Sequence, residues 1–272
     1  MSFPKKIGIM VGLIGLWGSL HSCTQNPTSP GLEPESEWDQ HLHYPLQPSP
    51  GPSPAIRPLY GVWGSSPQNV VVVGQYGLIA QYNGSDWVAL NFGGETLHDV
   101  WVSPDHNVFA VGRQGSIVHY DGTTCRQING MTSADLFGVW GRSGNDVYAV
   151  GADGLILHGT GNGWQQMNSG TDNTLRDVWG SWDGNVFAVG DDGTVLRLSG
   201  NRWSRINTGT SNDFLGVWGS SQGDIFAVGA LGSILHFNDS GWHAMGSGVL
   251  RDLVSVFGFS GNDVYALGKG DV

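Results

Sequence analysis

The sequence predicts an all-β fold: a β-propeller of four-stranded blades of about 39 residues, five repeats complete and a sixth partial. Six blades is the count it favours. Three observations carry that expectation. Trp63, Trp101, Trp140, Trp179, Trp218 and then Phe257, each preceded by Val, stand 38, 39, 39, 39 and 39 residues apart. Eleven residues beyond each lies a Gly (74, 112, 151, 190, 229, 268), and in the five complete units another follows three further on. The composition agrees: 44 Gly and 12 Trp with only 13% charged residues, and no triplet period, mark many short strands joined by tight turns.

Within the third unit the elements read in order. "LFGVWG" (136–141) is a first strand and "SGND" a turn; "VYAVG" alternates as a second strand. "GADG" (151–154) closes a hairpin, "LILHG" is a third strand and "GWQQM" a fourth. Glycine at both ends of "GADG" is expected where the backbone needs positive φ. An Asn or Asp precedes every second strand (Asn69, Asn107, Asp146, Asn185, Asp224, Asp263), as a side chain bonding nearby backbone in a turn. Leu59, Leu97, Leu136, Leu175, Phe214 and Leu253, four residues before each aromatic, are expected to pack blade on blade. So are the second aromatics, Trp87, Trp164, Trp203 and Trp242, with Cys125 in that slot of the second unit as a small buried hydrophobe. Features copied into every blade are structural, because an active site needs one copy.

The amino-terminal residues have another character. Lys5 and Lys6 precede an apolar run, Ile7–Leu20, that is short for a bilayer span and suits an export signal. It ends in "LHSC", which resembles the bacterial lipobox; that resemblance makes Cys23 the lipidated residue and 1–22 the signal peptide. Cys23 and Cys125 are the two cysteines, so a lipidated Cys23 leaves no internal disulfide. Thr24 after the Cys resembles the outer-membrane sorting pattern. Residues 23–58 hold nine of the twelve prolines and read as a tether, leaving 59–272 as the propeller domain. The expected location is extracytoplasmic, lipid-anchored to a bacterial membrane.

The unit "GVWGSSQGDIFAVGALGSILHFNDSGW" (216–242) resembles the repeat of bacterial secreted and lipoprotein propellers, which are WD40-like. Its latter half is similar to the Asp-box repeat of sialidase-like and photosystem-assembly-factor-like propellers. The resemblance covers residues 59 to about 268; such propellers include hydrolases, lectins and assembly factors, so it implies a fold more than a function. The sixth unit stops after its second strand. Either "EWDQHLHYPL" (37–46) supplies a missing outer strand, or the reading frame is truncated; the sequence leaves both open.

Chemistry is thinly represented. A net charge of −11 opposes nucleic acid. Glu95 is the single Glu of the repeats, and the repeat arginines share no slot, against the three-Arg, Tyr–Glu, Asp constellation of a sialidase. His119, His158 and His236 occupy one slot on three different blades, too far apart for one metal ion and expected to bond local backbone. No catalytic residue, metal or cofactor is expected. The loops between first and second strands differ among units, and there Trp182, with Arg142 and His106, forms the candidate binding set. The expected function is a non-enzymatic interaction or assembly scaffold at the cell envelope, with an envelope protein or a glycan as partner; a glycan-binding surface lipoprotein is the alternative, and an Asp-box hydrolase the least favoured.

Overall fold

The computed structural model describes residues 58–90, 93–128, 131–182, 184–238 and 240–270, together with the backbone of residues 7–12. Cys23, the tether and the 37–46 segment lie outside the described residues.

The described chain forms a short strand, β1 (Ile7–Gly12), and then six sheets. Five are four-stranded antiparallel meanders. Blade 1 holds β2 (Leu59–Ser66), β3 (Asn69–Gly74), β4 (Ile79–Tyr82) and β5 (Trp87–Ala89); blade 2 holds β6 (Leu97–Val102), β7 (Val108–Gly112), β8 (Ile117–Tyr120) and β9 (Cys125–Ile128). Blade 3 follows with β10 (Leu136–Ser143), β11 (Asp146–Gly151), β12 (Ile156–Thr160) and β13 (Gly163–Met167), and blade 4 with β14 (Leu175–Gly180), β15 (Val186–Gly190), β16 (Thr194–Ser199) and β17 (Arg202–Arg205). Blade 5 comprises β18 (Phe214–Ser221), β19 (Asp224–Gly229), β20 (Ile234–Asn238) and β21 (Gly241–Met245). The sixth sheet has β22 (Leu253–Ser260) and β23 (Asp263–Lys269), and β1 lies parallel to β23 in the third place. The fold is a β-propeller with five complete blades and a partial sixth.

First strands pack on first strands from blade to blade, so they line the axis. From blade 2 to blade 6, the Trp of one blade sits on the Gly after the aromatic of the next. A methyl on Gly141, Gly180, Gly219 or Gly258 would meet the ring of Trp101, Trp140, Trp179 or Trp218 at 2.9, 2.4, 2.6 and 2.8 Å. That contact explains "VWG" as a unit: the ring needs a neighbour with no side chain. Leu97, Leu136, Leu175, Phe214 and Leu253 are fully buried between blades, as their spacing predicts.

Two sequence expectations need correction. In "GADG" only the second Gly has positive φ, +66° at Gly154; Gly151 is extended at −165°. Gly151 is required for a different reason, because a methyl there would stand 2.2 Å from the Asp135 carbonyl oxygen of the same blade. The residue between them takes the other left-handed position, at Asp153 and likewise at Tyr76, Gln114, Asp192 and Leu231. In three blades a carboxylate from the next blade stabilises it: the backbone N–H of Gln114, Asp192 and Leu231 donates to Asp135, Asp213 and Asp252.

The second correction concerns the Asn or Asp before each second strand. In the five complete blades it reaches beyond its turn and holds the third strand of its own blade. Asp146 Oδ1 lies 2.8 Å from His158 Nε2, Asp224 Oδ1 2.7 Å from His236 Nε2, and Asn107 Oδ1 2.8 Å from His119 Nε2. Gln81 and Arg197 donate to Asn69 and Asn185 in the same way. Each His also stacks 4.4 Å from the aromatic of the second strand: Phe109, Tyr148 or Phe226. The three histidines therefore bond a neighbouring strand's side chain, not local backbone. Burial alone would raise the Asp146 carboxyl, but the bonds from His158 and Arg142 outweigh it and hold its pKa below the usual value.

Among the described residues, the ring is open between blade 6 and blade 1. Leu59 is 45% exposed and Val62 64%, whereas their counterparts in blades 2 to 6 are buried. Leu59 therefore does not pack blade on blade as its repeat position predicts, and Phe257 and Phe259 are exposed on the other side of the opening.

Candidate functional site at the axial mouth

Every first strand carries a register shift at one place, between the Leu or Phe at its start and the residue two further on. Such a bulge re-aims the extra side chain. The bulged residues are Tyr60, His98, Phe137, Arg176, Leu215 and Val254, one per blade. Their flanks are nearly the same in all units; they themselves are all different.

Four of them form a continuous arc. The Tyr60 and His98 rings meet edge-on at 6.2 Å, His98 stacks on Phe137 at 5.3 Å, and the Arg176 guanidinium lies 5.1 Å over Phe137. Arg176 is fixed by a bidentate bond to Asp191, at 2.7 and 2.9 Å, and His98 Nδ1 lies 2.8 Å from the Leu136 carbonyl oxygen. Asp191 belongs to the turn between second and third strands, which places the arc on that face of the ring. Tyr60 is 53% exposed and the others are half-buried, giving an aromatic and cationic lining at the mouth of the axis.

Behind the arc, the next residue alternates: Gly61, Asp99, Gly138, Asp177, Gly216, Ser255. Asp99 Oδ2 accepts from the Val139 N–H of blade 3, and Asp177 Oδ2 from the Val217 N–H of blade 5, each at 2.8 Å. The glycines make this possible, since a methyl at Gly138 would lie 2.9 Å from the Asp177 Cα. Burial pushes the Asp99 carboxyl up to about 6, against the backbone N–H bonds of Val139 and Val100. Burial first, and then the charge of Asp99, push Asp177 up to about 8. These carboxylates brace neighbouring blades and are poised to titrate.

The loop residues singled out by sequence lie elsewhere. Trp182 is 65% exposed, 6.5 Å from the Trp140 ring, and Arg142 lies over that same ring at 5.8 Å. Arg142 donates to Asp146 and, at 3.0 Å, to the Gly184 carbonyl oxygen, so blades 3 and 4 bring these two residues together. His106 is not part of that group; its Nδ1 lies 3.2 Å from Asn69 of blade 1. Cys125 is half-buried, and burial pushes its thiol up to about 11, well away from a nucleophile's range.

The Asp-box-like turn is structural. Asp121 Oδ1 accepts from the backbone of Thr123 and Thr124 and from the Thr123 hydroxyl, which lowers its pKa to about 2. Asn83 and Asn238 make the same turn in their blades. A carboxylate so occupied is a turn cap, not an acid or base at neutral pH.

The sequence reading missed the arc. It was visible as a single hypervariable position inside the otherwise uniform strand "L-x-(G/D/S)-V-W".

No protein-family model matches the chain, and no curated protein matches it in sequence. Solved structures do match. A YCF48 bound to a D1 peptide superposes with a TM-score of 0.62 at 13% identity, covering 79% of this chain and 75% of that one. The fold is shared. YCF48 from Cyanidioschyzon merolae gives 0.51 at 13% identity, over 80% and 95% of the chains, and the RRP9 WD40 repeats give 0.63 at 11%, over 75% and 71%. At these identities the likeness extends to the propeller architecture.

Proposed function

We propose that this chain is a non-enzymatic protein-interaction scaffold, anchored at the bacterial cell envelope through Cys23. In this reading it binds an extended segment of a partner across the axial mouth. The observation that carries the reading is the arc: four touching residues of different chemistry, at a slot that the repeat leaves free to vary while fixing its flanks. A rigid ring that spends one bulge per blade on a variable side chain is suited to recognition, and aromatic and Arg side chains are the types that anchor interfaces. One propeller of the same fold is bound to a peptide. Asp121 sits in a turn, Asp146 and Asp224 hold third strands, and Asp99 and Asp177 brace neighbouring blades, which supports a role without turnover.

The test is affinity capture from solubilised envelope with full-length lipidated protein, compared with Tyr60→Ala and Phe137→Ala. Both variants are expected to lose the captured protein while their urea midpoints fall by no more than about 2 kcal/mol equivalent. Undiminished capture by both variants would sink the reading.

Glycan binding has one specific observation in its favour, the exposed Trp182 beside Trp140 and Arg142. It predicts that oligosaccharides quench Trp fluorescence and that Trp182→Ala abolishes the quenching. Quenching that survives the substitution would place any sugar elsewhere.

A further inference from the structure

In the five complete blades the third strand does more than extend the ladder. Its residue opposite the second-strand aromatic (Val71 in blade 1) is Gln81, His119, His158, Arg197 or His236, and it reaches the Asn or Asp two residues earlier on the second strand. The two residues before it are apolar and largely buried in four of the five blades, as Ile156 and Leu157 are.

The sixth sheet carries the second-strand half of this arrangement. Asp263 and Tyr265 occupy the two slots, hydrogen-bonded to each other, with Tyr265 stacked 5.5 Å from Phe257. Along their open edge lies β1, in parallel register, with Gly8 opposite Tyr265. A glycine continues the ladder but has no side chain of its own to place in that slot. The parallel direction also departs from the antiparallel third strand of every other blade. The edge is therefore competent to take an extended apolar segment, and its side chains are shaped for a different one.

We propose that the β23 edge is a strand-addition site for a partner protein: it takes an antiparallel segment with a β-branched or Leu residue opposite Leu267, an apolar residue opposite Ala266 and His or Arg opposite Tyr265. The incoming ring stacks on Tyr265 and donates to Asp263, as His236 does on Phe226 and Asp224. Backbone pairing supplies affinity and the one polar slot supplies selectivity, the division expected for strand addition. An unpaired edge otherwise invites indiscriminate pairing. On the export reading β1 leaves with the signal, so the partner strand meets a bare edge. This site is separate from the axial mouth, and Phe137→Ala leaves it intact.

The probe is a labelled peptide with the sequence of residues 232–239, which already satisfies the pattern in blade 5. Binding is followed by fluorescence anisotropy on the full chain and on the double variant Ile9→Pro/Met10→Pro, in which one of the two adjacent prolines necessarily removes an N–H on the β23 side of β1. The double variant is expected to bind the peptide. Methylating alternate backbone amides should abolish binding in one phase and spare it in the other, because only every second N–H faces the edge. Replacing the peptide's His by Ala, or Asp263→Ala in the chain, should each weaken binding about tenfold, and the two together little further. Absence of binding to the Ile9→Pro/Met10→Pro chain overturns the proposal. So does binding that ignores both methylation phases, or that ignores the His and Asp263 replacements.

Discussion

Gly154→Ala is expected to be among the most damaging single substitutions in this protein. Its new methyl would stand 1.9 Å from the Thr171 carbonyl oxygen, at a residue whose φ is +66°. Two costs combine. Left-handed φ costs an alanine about 1 kcal/mol, and the clash is with backbone at the start of the next blade, which cannot swing aside as a side chain would. A loss of at least about 3 kcal/mol is expected, since overpacking a rigid contact commonly costs that much alone. Two other glycines separate these costs. Gly170 has φ +76° but open space around its would-be methyl, so Gly170→Ala should lose only about 1 kcal/mol. Gly64 has neither problem, its nearest neighbour being a Val70 methyl at 3.5 Å, and Gly64→Ala should move stability by about 0.5 kcal/mol or less. Urea midpoints of the three variants check the order. A Gly154→Ala chain as stable as Gly170→Ala would mean that the turn of blade 3 does not press against blade 4 as described.

The Gly64 comparison also shows why some of this fold was legible in the sequence and some was not. Repeat spacing gave the strands nearly residue for residue, because hairpin turns, strand alternation and the Trp-on-Gly contact each demand a side-chain type at a fixed place. The "VWG" of blade 1 looks like the others, yet no Trp covers Gly64, since the opening of the ring lies there. Local pattern carries no information about whether the first and last sheets meet. The same limit hid the structural role of His158: periodicity places it on a third strand, but its bond to Asp146 is across a hairpin and its stack is on Tyr148. The arc at the mouth was hidden differently. Tyr60, His98, Phe137 and Arg176 stand 38, 39 and 39 residues apart and touch only because the ring brings successive bulges together. Loop divergence drew attention to Trp182 and Arg142 instead, where the structure does place two of the three residues side by side and leaves His106 with blade 1.

Raising the pH from about 6.5 to 9 is expected to destabilise the propeller, and Asp177 is expected to be the main cause. In the folded chain its carboxyl is raised to about 8, and that of Asp99 to about 6, while in the unfolded chain both return to 3.8. Between those values the folded state holds protons that the unfolded state has released. The stabilising contribution is thus complete below pH 4 and is lost as pH rises through 6 and then 8. His119 works in the opposite sense, since burial lowers its pKa and folding stability gains as it deprotonates. That gain tails off within about one pH unit above the ordinary imidazole value of 6.5, so most of the higher window belongs to the carboxylates. Each unit of pKa difference corresponds to about 1.4 kcal/mol, and after solvent access to the half-buried pair is allowed for, a loss on the order of 2 kcal/mol is expected. Asp177→Asn should flatten the profile. Its amide cannot ionise, but it can accept from only one of the two N–H groups, Val178 and Val217, that Asp177 serves with separate oxygens. The variant should therefore be less stable than the parent at pH 5, by about 1 kcal/mol for the unpaired N–H. At pH 9 that difference should shrink or reverse, because the parent then carries a buried charge. Urea unfolding of both proteins at the two pH values decides it: parallel pH profiles would show that Asp177 is ionised throughout and that the brace between blades 4 and 5 is an ordinary carboxylate bond.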